Sequence, residues 1–228
     1  MVSDPHSGPR FFYLEADIHG SYDTEFDAAD HPNLEDPPRC PLCGDFMGML
    51  AWQPPYQGEL VLHGEAFGDF VKIPGYEVLV SERLAEAFQA EGLTGFPGFH
   101  PVGVSRVRGK RKGSKPVGVP RYFLVSPCYG RAAVDLARSR IRYTQPVTCP
   151  ECRYGGPEAI HGFALEPGTW QGEDVFRPRG LRGLIVVSER FARLVERHGL
   201  TNMRLTPIEA YIWDPLERGP PPEAPGGA

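Results

Sequence analysis

Two segments of the chain carry the same pattern of apolar and polar positions. Residues 78–94 read VLVSERLAEAFQAEGLT and residues 185–201 read IVVSERFARLVERHGLT, at a constant offset of 107. Each opens on a short aliphatic run, Val78-Leu79-Val80 in one and Leu184-Ile185-Val186-Val187 in the other. Neither run alternates with polar residues, which predicts a strand buried on both faces. Ser81 and Ser188 then stand where a helix N-cap belongs, each followed by a glutamate at the positive end of the helix dipole. Leu84, Ala87 and Phe88 share one helical face, and Phe191, Leu194 and Val195 are their counterparts. Gly92 and Gly199 end the two helices, in the left-handed position that favours glycine. Phe99, Val102 and Val104, and later Leu205, Ile208, Tyr211 and Trp213, predict returning strands.

Other pieces recur in the same order. Pro9-Arg10-Phe11-Phe12 resembles Pro120-Arg121-Tyr122-Phe123, and Pro101-Val102 resembles Pro207-Ile208. A unit of about 110 residues written twice is too long and too few for a solenoid. The expected fold is therefore α+β: an internal duplication in which two half-domains, related by a pseudo-twofold axis, share one core. The first half spans 9–118 and the second 119–216. Residues 217–228, ERGPPPEAPGGA, read as a disordered tail. Residues 20–39 and 53–70, rich in proline, glycine and acids, read as loops. The SER tripeptides read as helix caps, since a nucleophile elbow needs G-x-S-x-G and a paired histidine.

The cysteines add chemistry to this order. Cys40-Pro41-Leu42-Cys43-Gly44 and Cys149-Pro150-Glu151-Cys152-Arg153 sit at matched places, offset by 109. A CxxC turn aims two sulfurs at one ion, and zinc favours four thiolates in a tetrahedron. The expected site is one structural Zn2+ held by Cys40, Cys43, Cys149 and Cys152 at the seam between the halves. Their separation far exceeds the ~15–20 residues of a linear zinc ribbon, so only a fold that joins distant segments can complete the site. Redox-active pairs and metal-free thiols are the competing readings. The fifth cysteine, Cys128, has no partner at ligand spacing and reads as a buried or half-buried thiol.

Composition then narrows the function. With 41% hydrophobic and 23% charged residues the chain is an ordinary globular one, and its 52 glycines and prolines argue against a helical bundle. The net charge of −5 argues against a general nucleic-acid binder. Residues 105–116, SRVRGKRKGSKP, nonetheless form a basic loop with six cations and no acid. Residues 1–45 carry ten acids and only Arg10 and Arg39 as cations. The N-terminus lacks the pattern of an export signal and no apolar run is long enough to span a membrane, so a cytoplasmic, membrane-free protein is expected. The seven histidines are scattered, with no HxH or HxxxH pair, and no catalytic constellation emerges.

The order RFFYLEAD, CPLCG, LVSERLAEAFQAEGLTGF, CPEC, VVSERFARLVERHGL resembles the double-CXXCG motif family of myxobacteria, over about residues 10–213. The chain departs from that pattern at Arg153, which stands in the second glycine position. The resemblance implies an immunity protein, not an enzyme, that binds and neutralises a cognate polymorphic protein toxin by covering its active surface. Residues Asp23, Glu25, Asp27, Asp30, Glu35 and Asp36 are then candidate partner contacts, able to mimic phosphate if the toxin acts on nucleic acid, with Trp52 and Tyr56 as aromatic anchors. The alternative is a zinc-ribbon-like regulator touching nucleic acid through residues 106–115.

Overall fold

A computed structural model describes residues 8–28, 33–48, 50–73, 75, 77–109 and 118–221. In chain order the elements are β1 (Phe11–Glu15), β2 (Thr24–Ala28), β3 (Asn33–Glu35), β4 (Ala51–Gln53), β5 (Gln57–Leu62), β6 (Phe70–Lys72), β7 (Val78–Ser81), α1 (Glu82–Ala90), β8 (His100–Pro101) and β9 (Gly103–Gly109). They continue as β10 (Tyr122–Val125), β11 (Cys128–Ala133), β12 (Ile141–Tyr143), β13 (Pro157–His161), β14 (Val175–Arg179), β15 (Val186–Ser188), α2 (Glu189–His198), β16 (Arg204–Pro207), a 3-10 turn over Ile208–Ala210, and β17 (Ile212–Trp213).

The two recurring segments form the elements their pattern predicts. Ser81 Oγ accepts from the Leu84 amide at 3.2 Å and Ser188 Oγ from the Phe191 amide at 3.3 Å, so both serines cap their helices. Gly92 (φ 62°) and Gly199 (φ 56°) close them in left-handed backbone. The aliphatic strands are buried on both faces. In β7, Val78 and Val80 face one core while Leu79 faces another. In β15, Val187 and Val186 are divided the same way. Continuous apolar runs are what two-sided burial requires.

The expectation of a balanced α+β duplication is overturned. Strands make up 37% and helices 11%, spread over several sheets, so the fold is mostly β. The physical reason lies in the segments read as loops. In β2, Thr24 and Phe26 point inward while Glu25, Asp27 and Ala28 point out. Acids that looked like loop composition are the solvent face of an alternating strand. β2 pairs with β5, and β5 runs parallel to β9, so residues 105–109 of the expected basic loop are also strand. β3 and β4 form a separate two-stranded ladder.

Strands from the two recurring segments interleave. The five-stranded sheet has the order β11-β14-β15-β1-β16, and the four-stranded sheet β6-β7-β10-β8. The N-terminal β1 thus lies among strands of the C-terminal half, pairing Phe11 with Ser188. β10 crosses the other way, pairing Tyr122 with Ser81. Phe88 and Phe191, one from each helix, meet edge-on at 6.4 Å within a core shared by both segments. Of the expected tail, 217–221 is described and held: Arg142 donates to the Arg218 and Pro220 carbonyls at 3.4 and 3.1 Å. Residues 222–228 lie outside the described residues.

Candidate functional site

The four knuckle cysteines converge although 109 residues separate each matched pair. Their sulfurs all lie within 4.8 Å of one another. Cys40 Sγ is 3.8 Å from Cys149 Sγ, and Cys43 Sγ is 3.6 Å from Cys152 Sγ. A disulfide would need about 2.05 Å. A tetrahedron with metal–sulfur bonds of about 2.3 Å has edges of about 3.8 Å, so the spacing fits one shared ion. Cys40, Cys149 and Cys152 are buried against Met47 and Tyr154, while Cys43 stands at the surface.

Backbone geometry explains why each pair points inward. The Gly44 amide donates to the Cys40 carbonyl at 2.9 Å, and the Arg153 amide to the Cys149 carbonyl at 3.0 Å. Gly44 (φ 78°) and Arg153 (φ 53°) both turn through the left-handed region. Arg153 therefore keeps the turn that glycine makes in the first knuckle, at a cost of roughly 1–2 kcal/mol. Its side chain offsets this by donating to the Val134 carbonyl at 3.1 Å and pairing with the Glu166 carboxylate. The Gly180 amide anchors the Cys152 carbonyl at 2.9 Å. The Cys152 backbone amide draws the Cys149 thiol down to about 7, whereas burial pushes Cys152 up to about 12. Cys128 stands apart, donating to the Val175 carbonyl at 3.6 Å, and burial pushes it up to about 11.

A second constellation went unseen in the sequence. Ser81 Oγ donates to Asp69 Oδ1 at 2.6 Å, and Ser188 Oγ donates to Asp174 Oδ1 at 2.6 Å. Asp69 also receives Thr201, through its amide at 2.8 Å and its hydroxyl at 2.9 Å. Asp174 receives the Thr94 amide at 3.0 Å. Arg83 and Arg190 complete the two clusters as ion-pair partners. Each aspartate thus ties its own helix cap to the Gly-Leu-Thr turn of the other helix. Burial alone would raise the Asp69 carboxyl, but Arg83, Ser81 and Thr201 hold it below the ordinary range. The available signal was an acid before two apolar residues, Asp69-Phe70-Val71 and Asp174-Val175-Phe176, shortly before each serine.

The candidate partner contacts are not one acidic face. Asp23 is buried and accepts the His19 amide at 2.9 Å. Glu25 meets His63 at 2.8 Å, and Asp27 pairs with Arg108. Glu35 and Asp36 are exposed, and Asp30 lies outside the described residues. Trp52 is 6% exposed and packs inside, against Phe26 at 6.0 Å and half-buried Tyr56 at 5.5 Å. In the basic stretch, Arg108 is taken by Asp27 and by Glu59 at 2.8 Å, while 110–116 lie outside the described residues. Among the described residues no helix is long and apolar enough to cross a membrane.

The molecule is thus a mostly-β scaffold with a four-thiol cluster tying segments distant in sequence. The sequence profile described as Immunity protein family (Imm11) matches residues 19–210, and the chain belongs to that family. No curated protein is a significant match to the chain.

Proposed function

We propose that this chain is a cytoplasmic, non-enzymatic immunity protein of the double-CXXCG type that binds one cognate polymorphic toxin and neutralises it by covering its active surface. The observation that carries this reading is the family match across residues 19–210. One zinc ion held by Cys40, Cys43, Cys149 and Cys152 would staple the 40–43 and 149–152 segments. Four thiolates leave no open position for water, so the ion's role is stability and not chemistry. The nucleic-acid alternative loses ground because Arg108, inside the basic stretch, is already neutralised by Asp27 and Glu59.

The test is to identify the coding sequences that neighbour this chain's gene and co-express with it any toxin domain found there. Cells carrying both should grow, and the purified proteins should form a stable complex. Continued killing with no complex would reject the reading. Metal analysis of protein purified without chelator should return about one zinc per chain.

A further inference from the structure

A cavity of about 810 Å³ opens where β1 and β16 meet the segment carrying β17. Its floor is aromatic. Tyr13 and Tyr211 lie with ring centroids 4.2 Å apart, and Tyr154 and Trp213 extend the surface. Burial, reinforced by the Glu15 carboxylate, pushes the Tyr13 phenol up, and burial does the same to Tyr211, so both stay neutral hydroxyls. The lip is apolar: Ile212 is 67% exposed and Trp213 41%. Solvated aromatic and aliphatic side chains beside a concave floor are what an unoccupied protein interface presents.

The charge around this floor runs against that of the molecule. Lys72, Arg182 and Arg204 line it against a single carboxylate, Glu15, in a chain of net charge −5. Arg204 already holds Glu15 at 2.7 Å. Arg182 lies flat over the Tyr154 ring at 3.6 Å, and neither it nor Lys72 has a carboxylate partner among the described residues. The outward acids of β2 are the reverse case, with Glu25 and Asp27 spent on His63 and Arg108. Two free cations are too few for a phosphate backbone, whose binders make roughly 6–10 contacts. An apolar lip with a few cations suits a protein segment instead.

We infer that this groove is the toxin-docking surface, and that the toxin enters it with an acidic loop carrying an apolar or aromatic side chain. The inference rests on the immunity reading and sharpens it. The partner is acidic where it docks, so the exposed acids Glu35 and Asp36 are not its contacts.

The test measures association and dissociation of a purified toxin domain identified in the neighbouring coding sequences, at low and high salt. Trp213→Ala should weaken binding by about 30-fold or more, as loss of an aromatic anchor does. Lys72→Glu with Arg182→Glu should slow association about tenfold at low salt, and the defect should shrink as salt screens it. Glu35→Lys with Asp36→Lys should leave both rates unchanged. Ile212→Asp serves as the apolar probe if Trp213→Ala melts early. Wild type that binds the toxin while every groove variant binds equally well overturns the inference and leaves the immunity reading standing. So does association that speeds up on charge reversal, which would mark a basic partner. Groove variants that change only self-association, read by light scattering, would assign the surface to a second copy and overturn it too. Wild type that neither binds nor protects removes both readings.

Discussion

Replacing Asp174 by alanine separates a buried acceptor from its exposed partner. The Asp174 side chain is 0% exposed and receives Ser188 Oγ at 2.6 Å, the Thr94 amide at 3.0 Å and Arg190 Nη1 at 3.0 Å. Hydrogen bonds to a charged group contribute about 1.5–3 kcal/mol each, but the three are not additive. Arg190, 55% exposed, returns to water when its partner is lost, so its share is small, about 0–1 kcal/mol. The Ser188 hydroxyl has no such exit, because Ser188 is 3% exposed, and the Thr94 amide loses its acceptor as well. Leaving these donors unsatisfied costs about 1–3 kcal/mol each, which puts Asp174→Ala at about 3–5 kcal/mol. Arg190→Ala leaves the buried carboxylate its Ser188 and Thr94 donors and should cost less than Asp174→Ala, about 1–3 kcal/mol. Urea unfolding monitored by circular dichroism gives both numbers, provided the slope stays constant while the midpoint moves. A loss below about 1 kcal/mol for Asp174→Ala would refute the reasoning, since a buried acceptor cannot be removed so cheaply. Equal losses for the two variants would show that the ion pair, not the buried cap network, carries the energy.

Asp69 should make stability acid-sensitive. Its folded carboxyl lies below the unfolded value of about 3.9, so its contribution is fully present above that pH and is lost as pH falls through the folded value. Asp69→Asn should flatten the slope of unfolding free energy below about pH 4, and an unchanged slope would count against the network. Cys128, pushed up to about 11, should resist iodoacetamide at neutral pH in chelator-treated protein while surface Cys43 reacts, as read by peptide mass mapping. Equal labelling would mean that Cys128 is not shielded. Arg153→Ala should lower stability by about 1–2 kcal/mol, because it keeps the left-handed turn and loses the anchor to Val134. Arg153→Gly should recover about 1 kcal/mol of that, and a glycine variant no more stable than the alanine one would show that the turn carries no strain.

What the sequence disclosed was local. Ser81, Ser188, Gly92 and Gly199 act through their immediate neighbours, so their roles as caps and stops could be read from pattern alone. The four cysteines were legible because thiols at ligand spacing, repeated at matched places, have few other uses. Asp69 and Asp174 were opaque because their partners include Thr201 and Thr94, in the opposite helix turn, and no local spacing marks that contact. β2 and β5 were lost among acids, glycine and proline, because the outward residues of an alternating strand look like loop composition. The balanced duplication failed for a related reason. Recurrence in sequence says which segments resemble each other and says nothing of which strand each lies beside.

The crossed strands set a clock on when the molecule can exist. β1 leaves the ribosome long before either of its neighbours, β15 and β16, is made. At synthesis rates of about 5–20 residues per second, Phe11 waits roughly 10–35 s for Ser188 to be made. Throughout that interval an apolar strand has neither edge paired. The five-stranded sheet can therefore close only after β16 is made, whereas the β6-β7-β10-β8 sheet has all its strands by Val125. The sheet that joins the two recurring segments is thus the last part of the molecule to be completed.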